Sequence, residues 1–243
     1  MFGILSRTIH PTHRGSVITK SLIIAVLALS FSATAFGQSG ETTIEALPKV
    51  ILVGDSIRLS YAPVVTKQLE GKALVVSPEA NGGDSGNVLK NLEQWAIQQK
   101  PMIVHFNCGI HDTKRFKATG RFQVSPEQYE ANLRTIVERI REKTGAVVLF
   151  ATTTPILDDR AAAARKGRDY ELLGKSVVQY NAIATKVMEE LKVPVNDLHA
   201  AISKPDSPHT AETLIGNDGV HLTAPARELL GKQVATFVCR HLH

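Results

Sequence analysis

Five short apolar runs stand out along the chain: Lys49–Val53, Ala73–Val76, Met102–Asn107, Ala146–Ala151 and Val193–Asn196. They are nearly continuous in hydrophobic residues, as strands covered on both faces of a parallel sheet must be. The longer segments between them repeat apolar residues at helical spacing. Val88, Leu89, Leu92 and Trp95 form one such stripe, Leu133, Val137 and Ile140 a second, and Val177, Ile183, Val187 and Leu191 a third. Alternation of buried strands with one-sided helices predicts an α/β fold.

Two helix boundaries have a cause that can be named. Ser125-Pro126-Glu127-Gln128 combines a capping box with proline at the first helical position, so a helix starts there and runs to about Lys143, ahead of Gly145. Thr223, followed by Pro225 and then Leu229, Leu230, Val234 and Val238, starts the last helix. Apart from the Ala161–Ala164 run, no repeat or low-complexity tract breaks the pattern. The expected architecture is a three-layer, flavodoxin-like sandwich around a five-stranded, mainly parallel sheet, occupying residues 49–243 as one domain after a polar linker at 38–48.

Upstream of the linker the pattern changes. Arg7, Arg14 and Lys20 occur without any acidic residue, and Leu22 to Phe31 then run apolar before Ser32-Ala33-Thr34-Ala35. This reads as a secretory signal peptide over residues 1–37, cut after about residue 35 or 37; the apolar stretch is short for a membrane span. No stable membrane insertion is expected once it is removed, and the location expected is secreted or periplasmic. Losing the leader lowers the net charge from +5 to +2, too little for a nucleic-acid-binding face. Composition is otherwise that of an ordinary globular domain, 43% hydrophobic and 21% charged.

Export permits disulfides, and Cys108 and Cys239 are the only two cysteines. Cys108 ends a strand, whereas Cys239 lies about 24 Å along the last helix, so two unpaired thiols are expected. No cysteine pair or His-Glu-x-x-His stands at ligand spacing, and neither metal nor cofactor is expected.

In an open parallel sheet, ligands bind beyond the carboxyl ends of the strands, so chemistry should follow the apolar runs directly. Gly54-Asp55-Ser56-Ile57 follows the first, where Asp55 or Ser56 caps a helix or Ser56 serves as a nucleophile. Asp218-Gly219-Val220-His221 precedes the last helix. A carboxylate three residues before an imidazole can fold back on Nδ1–H and leave Nε2 to take a proton from serine. Asn107-Cys108-Gly109-Ile110-His111-Asp112 follows the third run, and Asn81-Gly82-Gly83-Asp84-Ser85 the second.

Taken in order, a Gly-Asp-Ser near the start, a glycine block, a Gly-x-His-Asp block and Asp-x-x-His near the end resemble the SGNH, or GDSL-like, hydrolases across residues 49–240. The resemblance implies a serine esterase with Ser56 as nucleophile, His221 as general base and Asp218 as its orienting acid. It also implies an oxyanion hole formed by Ser56 and Gly83 backbone N–H groups and a side chain of the third block. That family usually has asparagine where this chain has His111, so His111 is the candidate donor and Asn107 the alternative. Ser85, in a second Gly-Asp-Ser, is a formal rival nucleophile but more naturally caps a helix over Asn87–Gln98. No Gly-x-Ser-x-Gly elbow surrounds Ser56, which points away from the α/β-hydrolase fold.

Substrates implied by the resemblance are carboxylic esters, with acetyl esters of carbohydrates preferred here. A lysophospholipase or thioesterase, an acyltransferase and a catalytically silent binding protein are the alternatives. Arg58, Lys114, Arg115, Arg121 and Arg160 are candidates for a basic substrate rim; ordinary solvated loops are the competing explanation.

Overall fold

The computed structural model describes residues 46–204 and 209–242, so the expected leader over 1–37 and most of the expected linker at 38–48 lie outside the described residues. In chain order, β1 (Lys49–Val53), α1 (Ser56–Gln68), β2 (Leu74–Val76), α2 (Ser85–Trp95) and a 3-10 turn (Ile97–Gln99) come first. β3 (Ile103–Phe106), β4 (Arg115–Phe116), α3 (Pro126–Thr144), β5 (Val147–Ala151), α4 (Asp158–Ala164) and β6 (Tyr170–Glu171) follow. α5 (Gly174–Glu190), β7 (Val195–Asn196), α6 (Leu198–Ser203), α7 (Ala211–Leu214) and α8 (Ala224–Cys239) complete the series.

Five strands pair in the order β2-β1-β3-β5-β7, every pair parallel. This is the expected flavodoxin-like sheet, with each strand shorter than or equal to its apolar run. Successive β1 residues alternate between layers: Val50 and Leu52 face one, Ile51 and Val53 the other. On the first side lie Tyr61 and Val65 of α1 and Leu69 at its C-terminal cap, with Leu230, Val234 and Val238 of α8. On the second lie Val88 and Leu92 of α2, Leu133, Ile136 and Ile140 of α3, and Tyr180 and Val187 of α5. Each such side chain contributes about 1.5–3 kcal/mol of burial, which is why β1 and β5 present apolar residues to both layers.

The first layer also sets the geometry of the site. α1 and α8 approach so closely that a Cβ on Gly231 would fall 2.4 Å from Val64 Cβ. Ser56 opens α1 and His221 lies two residues before Thr223, the cap of α8, so this contact holds the two chain segments in register.

Three features depart from the sequence expectation. β4 and β6 form a separate antiparallel ribbon, pairing Arg115 with Glu171 and Phe116 with Tyr170. The alanine run becomes the body of α4. The second helix starts at Ser85 with Asp84 as its cap, through a 2.9 Å bond from Asn87 N–H to Oδ1. Cys108 is buried, Cys239 is half-buried, and both are free.

Candidate active site

β1 delivers the chain to Gly54-Asp55-Ser56 at the point where the connections leaving β1 and β3 diverge to opposite layers, a position suited to ligand binding. Asp55 is the cap of α1: its Oδ1 accepts the Ile57 N–H at 2.9 Å. Ser56 therefore stands as the first helical residue, where backbone N–H groups have no partner within the helix. Gly54 is required for the turn, since a Cβ there would lie 2.0 Å from Asn107 Oδ1.

Ser56 Oγ lies 3.0 Å from His221 Nε2. On the far side of the ring, Nδ1 meets Asp218 Oδ2, while Asp218 Oδ1 accepts the backbone N–H groups of His221 at 2.9 Å and Val220 at 3.1 Å. Partial burial works against the charge on Asp218. The hydrogen bonds from the backbone and ring of His221 and from Val220 outweigh it and hold the carboxyl at about 2. An ionised carboxylate only accepts, so Nδ1 carries the proton and Nε2 presents a lone pair to the serine hydroxyl.

The Asp218–His221 loop is held from behind by α4. Leu157 N–H donates to Gly219 O at 3.0 Å, and Arg165 Nη1 donates to Asp218 O at 2.8 Å. Gly219 has φ +73°, and a Cβ there would come within 2.4 Å of Ala161 N, so only glycine fits this contact.

A cavity of about 260 Å³ opens in front of Ser56 and His221. Asn81, Ile110, His111, Lys114, Arg165, Tyr170, Leu172 and Val220 complete its lining. Burial pushes the pKa of His111 below its ordinary value, against a partial opposing effect of Asp55, so its imidazole is neutral near pH 7. Asn107 is buried beneath Gly54 and does not line the cavity. Gly83 N–H donates to Asn81 Oδ1 at 2.9 Å, so an oxyanion would have to share or displace that bond. Asn81 itself was visible in the sequence only as the first residue of the glycine block. A larger hollow of about 510 Å³, between β7 and α8, contains none of the clustered serine, histidine and aspartate.

A protein-family comparison matches residues 52–229 to the GDSL-like lipase/acylhydrolase family. The chain belongs to that family. It is therefore a carboxylic ester hydrolase, and solved structures share its fold. A lipase/acylhydrolase from Enterococcus faecalis superposes with a TM-score of 0.65 at 21% identity, covering 79% of this chain and 95% of that one. The acetylxylan esterase Axe2 from Geobacillus stearothermophilus gives 0.63 at 20% identity, covering 81% and 94%. The acetyl xylan esterase AlAXEase gives 0.62 at 17% identity, covering 78% and 99%. No curated protein matches the sequence significantly.

In this GDSL-like acylhydrolase, Ser85 is fully buried. Its hydroxyl is bonded to Asp112 and accepts from Asn132 Nδ2 at 2.8 Å. Burial drives the Asp112 carboxyl up to about 7, with the bonds from Ser85 opposing it. This network ties α2 to the loop after β3 and leaves Ser85 no access to an ester.

Most of the expected basic rim is corrected by the structure. Arg58 is only 1% exposed and donates to Gly54 O, Ser77 Oγ, Pro78 O and Ala80 O at 2.6–2.8 Å. It braces the glycine block against the turn before Ser56. Arg160 Nη1 donates to Glu212 O and Ile215 O at 2.9 and 2.8 Å, again holding backbone. Arg115 is paired with Glu171 at 2.9 Å, and Arg121 borders a separate hollow beside Phe116 and Phe122. Of the five, only Lys114 lines the cavity, where Arg165 joins it. Among the described residues no group of three His, Cys, Asp or Glu side chains could hold a metal ion.

Proposed function

We propose that this acylhydrolase is an exported serine esterase that removes short acyl groups, acetyl above all, from carbohydrate hydroxyls. The observation that carries the reading is the chain Ser56 Oγ, His221 and Asp218, with 3.0 Å between the serine hydroxyl and Nε2. Ser56 Oγ attacks the ester carbonyl as its proton passes to Nε2. The tetrahedral oxyanion collects hydrogen bonds from the Ser56 N–H, His111 and the Gly83 N–H. Collapse expels the alcohol, which takes the proton from His221. Water then attacks the acyl-enzyme with His221 again as base, releasing the carboxylic acid and restoring Ser56.

A short acyl group fits the size of the site. At about 260 Å³ the cavity is smaller than the roughly 300 Å³ at which sites for drug-sized ligands begin. Ile110, Leu172 and Val220 supply apolar wall for a methyl group. The resemblance in fold to acetylxylan esterases supports a sugar alcohol. Residues 38–243 should cleave p-nitrophenyl acetate with a kcat/KM well above that for the octanoate, and release acetate from acetylated xylo-oligosaccharides. Preference for octanoate or for a lysophospholipid would refute the short-chain reading.

His111 is the side-chain oxyanion donor in this mechanism. Removal of one such donor costs on the order of 10²- to 10³-fold in rate, so His111→Ala should fall by that much in kcat, with His111→Asn partly restored because an amide also donates. Wild-type turnover in both variants would remove His111 from the oxyanion hole.

Export rests on the basic and apolar pattern of residues 1–37. No helix among the described residues is long and apolar enough to cross a membrane. Intact mass of the protein recovered outside the inner membrane should show a start after about residue 35 or 37. A full-length chain retained in the cytosol would contradict this.

A further inference from the structure

The charge around the cavity carries the esterase reading, on which this inference rests, one step further. Two of the residues lining the cavity, Lys114 and Arg165, are cationic, and none is a carboxylate. Acids nearby are already engaged. Asp218 stands behind His221 with both oxygens accepting hydrogen bonds. Asp55 is buried as the cap of α1, and Asp84 caps α2 while accepting from Gln123 Nε2 at 3.1 Å.

Neither cation forms an ion pair among the described residues. Lys114 Nζ rests 5.3 Å from the centroid of the Tyr170 ring. Arg165 uses Nη1 for Asp218 O and Ala161 O, while its Nε and Nη2 have no acceptor among the described residues. A guanidinium edge and an ammonium therefore border the same small space as the nucleophile, in a wall built by the loop before β4, by β6 and by the chain after α4. Two cations in a confined cavity oppose each other, and an anion entering between them relieves that repulsion.

We propose that Lys114 and Arg165 bind a carboxylate on the alcohol portion of the substrate, so that the preferred ester is an O-acetylated uronic acid unit rather than a neutral acetylated sugar. Arg165 presents planar paired donors suited to a carboxylate, and Lys114 adds a mobile point charge. Tyr170 and Leu172 lie alongside as a face for the sugar ring. Arg165 also grips the carbonyl of Asp218, so the anion docks on the group that steadies the loop carrying His221.

The test compares acetate release from a methyl O-acetyl-galacturonoside and a methyl O-acetyl-galactoside, which differ by one carboxylate, with p-nitrophenyl acetate as a third ester. The proposal expects kcat/KM for the uronic ester to exceed the neutral one by about tenfold at low salt, and the ratio to shrink as ionic strength rises to about 0.5 M. Lys114→Gln should lower the ratio severalfold, and Lys114→Glu should bring it below one. Equal rates on the two sugars, or a preference that survives Lys114→Glu, would overturn it. Cleavage of p-nitrophenyl acetate with neither sugar turned over also overturns the uronic assignment while leaving the esterase intact. If none of the three is cleaved, both readings fall.

Discussion

Ser56→Ala should abolish ester turnover, with a fall in kcat on the order of 10⁴- to 10⁶-fold, while thermal unfolding stays close to wild type. The hydroxyl removed is the one that lies 3.0 Å from His221 Nε2, and no other hydroxyl in the cavity is held against that nitrogen. Tyr170, the other hydroxyl-bearing residue of the lining, makes no hydrogen bond to His221 and has Lys114 over its ring. Stability should be spared because Ser56 is a half-exposed first helical residue, the capping bond belongs to Asp55, and alanine suits a helix. Hydrolysis of p-nitrophenyl acetate measured beside a thermal melt separates loss of chemistry from loss of fold. Turnover within tenfold of wild type would exclude Ser56 as the nucleophile.

Asp218→Asn is expected to cost about 10⁴-fold in kcat with little change in KM, for a reason visible in the two sides of the carboxylate. Oδ1 accepts two backbone N–H groups, from Val220 and His221, and Oδ2 accepts the ring Nδ1–H. An amide that keeps its oxygen toward the two backbone donors turns its NH2 toward Nδ1. The ring must then accept there, moving its proton to Nε2, where it can no longer receive one from Ser56. The flipped amide is no better, because its NH2 meets two N–H groups. Single-turnover kinetics on p-nitrophenyl acetate would place the loss in acyl-enzyme formation. An activity within tenfold of wild type would show that the carboxylate does not set the tautomer.

The parts of this architecture that were legible in the sequence are those whose cause is local. β1, β3 and β5 are buried on both faces, so their runs are apolar but for Lys49 at the start of β1 and the buried His105 in β3. α3 announces itself through Ser125 and Pro126, and the structure shows that cap, with Gln128 N–H on Ser125 Oγ at 3.2 Å. Ser56, Asp218 and His221 stood out because each follows or precedes a strong element at the end of the sheet where ligands bind.

What escaped the sequence depends on partners far along the chain. The β4–β6 ribbon is two residues long on each side and exists only because residues 115 and 171 meet. Arg58 resembled a surface cation beside Ser56, but its guanidinium is enclosed by carbonyls of the loop after β2, whose path no local pattern reveals. Arg160 and Arg165 occupy similar positions around α4 and do different things: one holds the backbone before the Asp218 loop, the other holds that loop and faces the cavity. Ser85 of the second Gly-Asp-Ser already reads as a helix cap in the sequence; what local pattern does not reveal is that Asp84 takes the cap and Asp112, across the sheet end, encloses Ser85.

The central claim is that Ser56 is the one serine whose hydroxyl is activated to attack an acyl carbon. Treatment with a p-nitrophenyl alkylphosphonate, followed by intact and peptide mass spectrometry, tests it most directly, because a phosphonyl group stays on the attacking oxygen. A single stoichiometric adduct is expected on the peptide carrying Ser56, formed together with loss of esterase activity and absent from His221→Ala on the same timescale. An adduct on Ser85 or on any other residue, or inactivation without modification of Ser56, would contradict it.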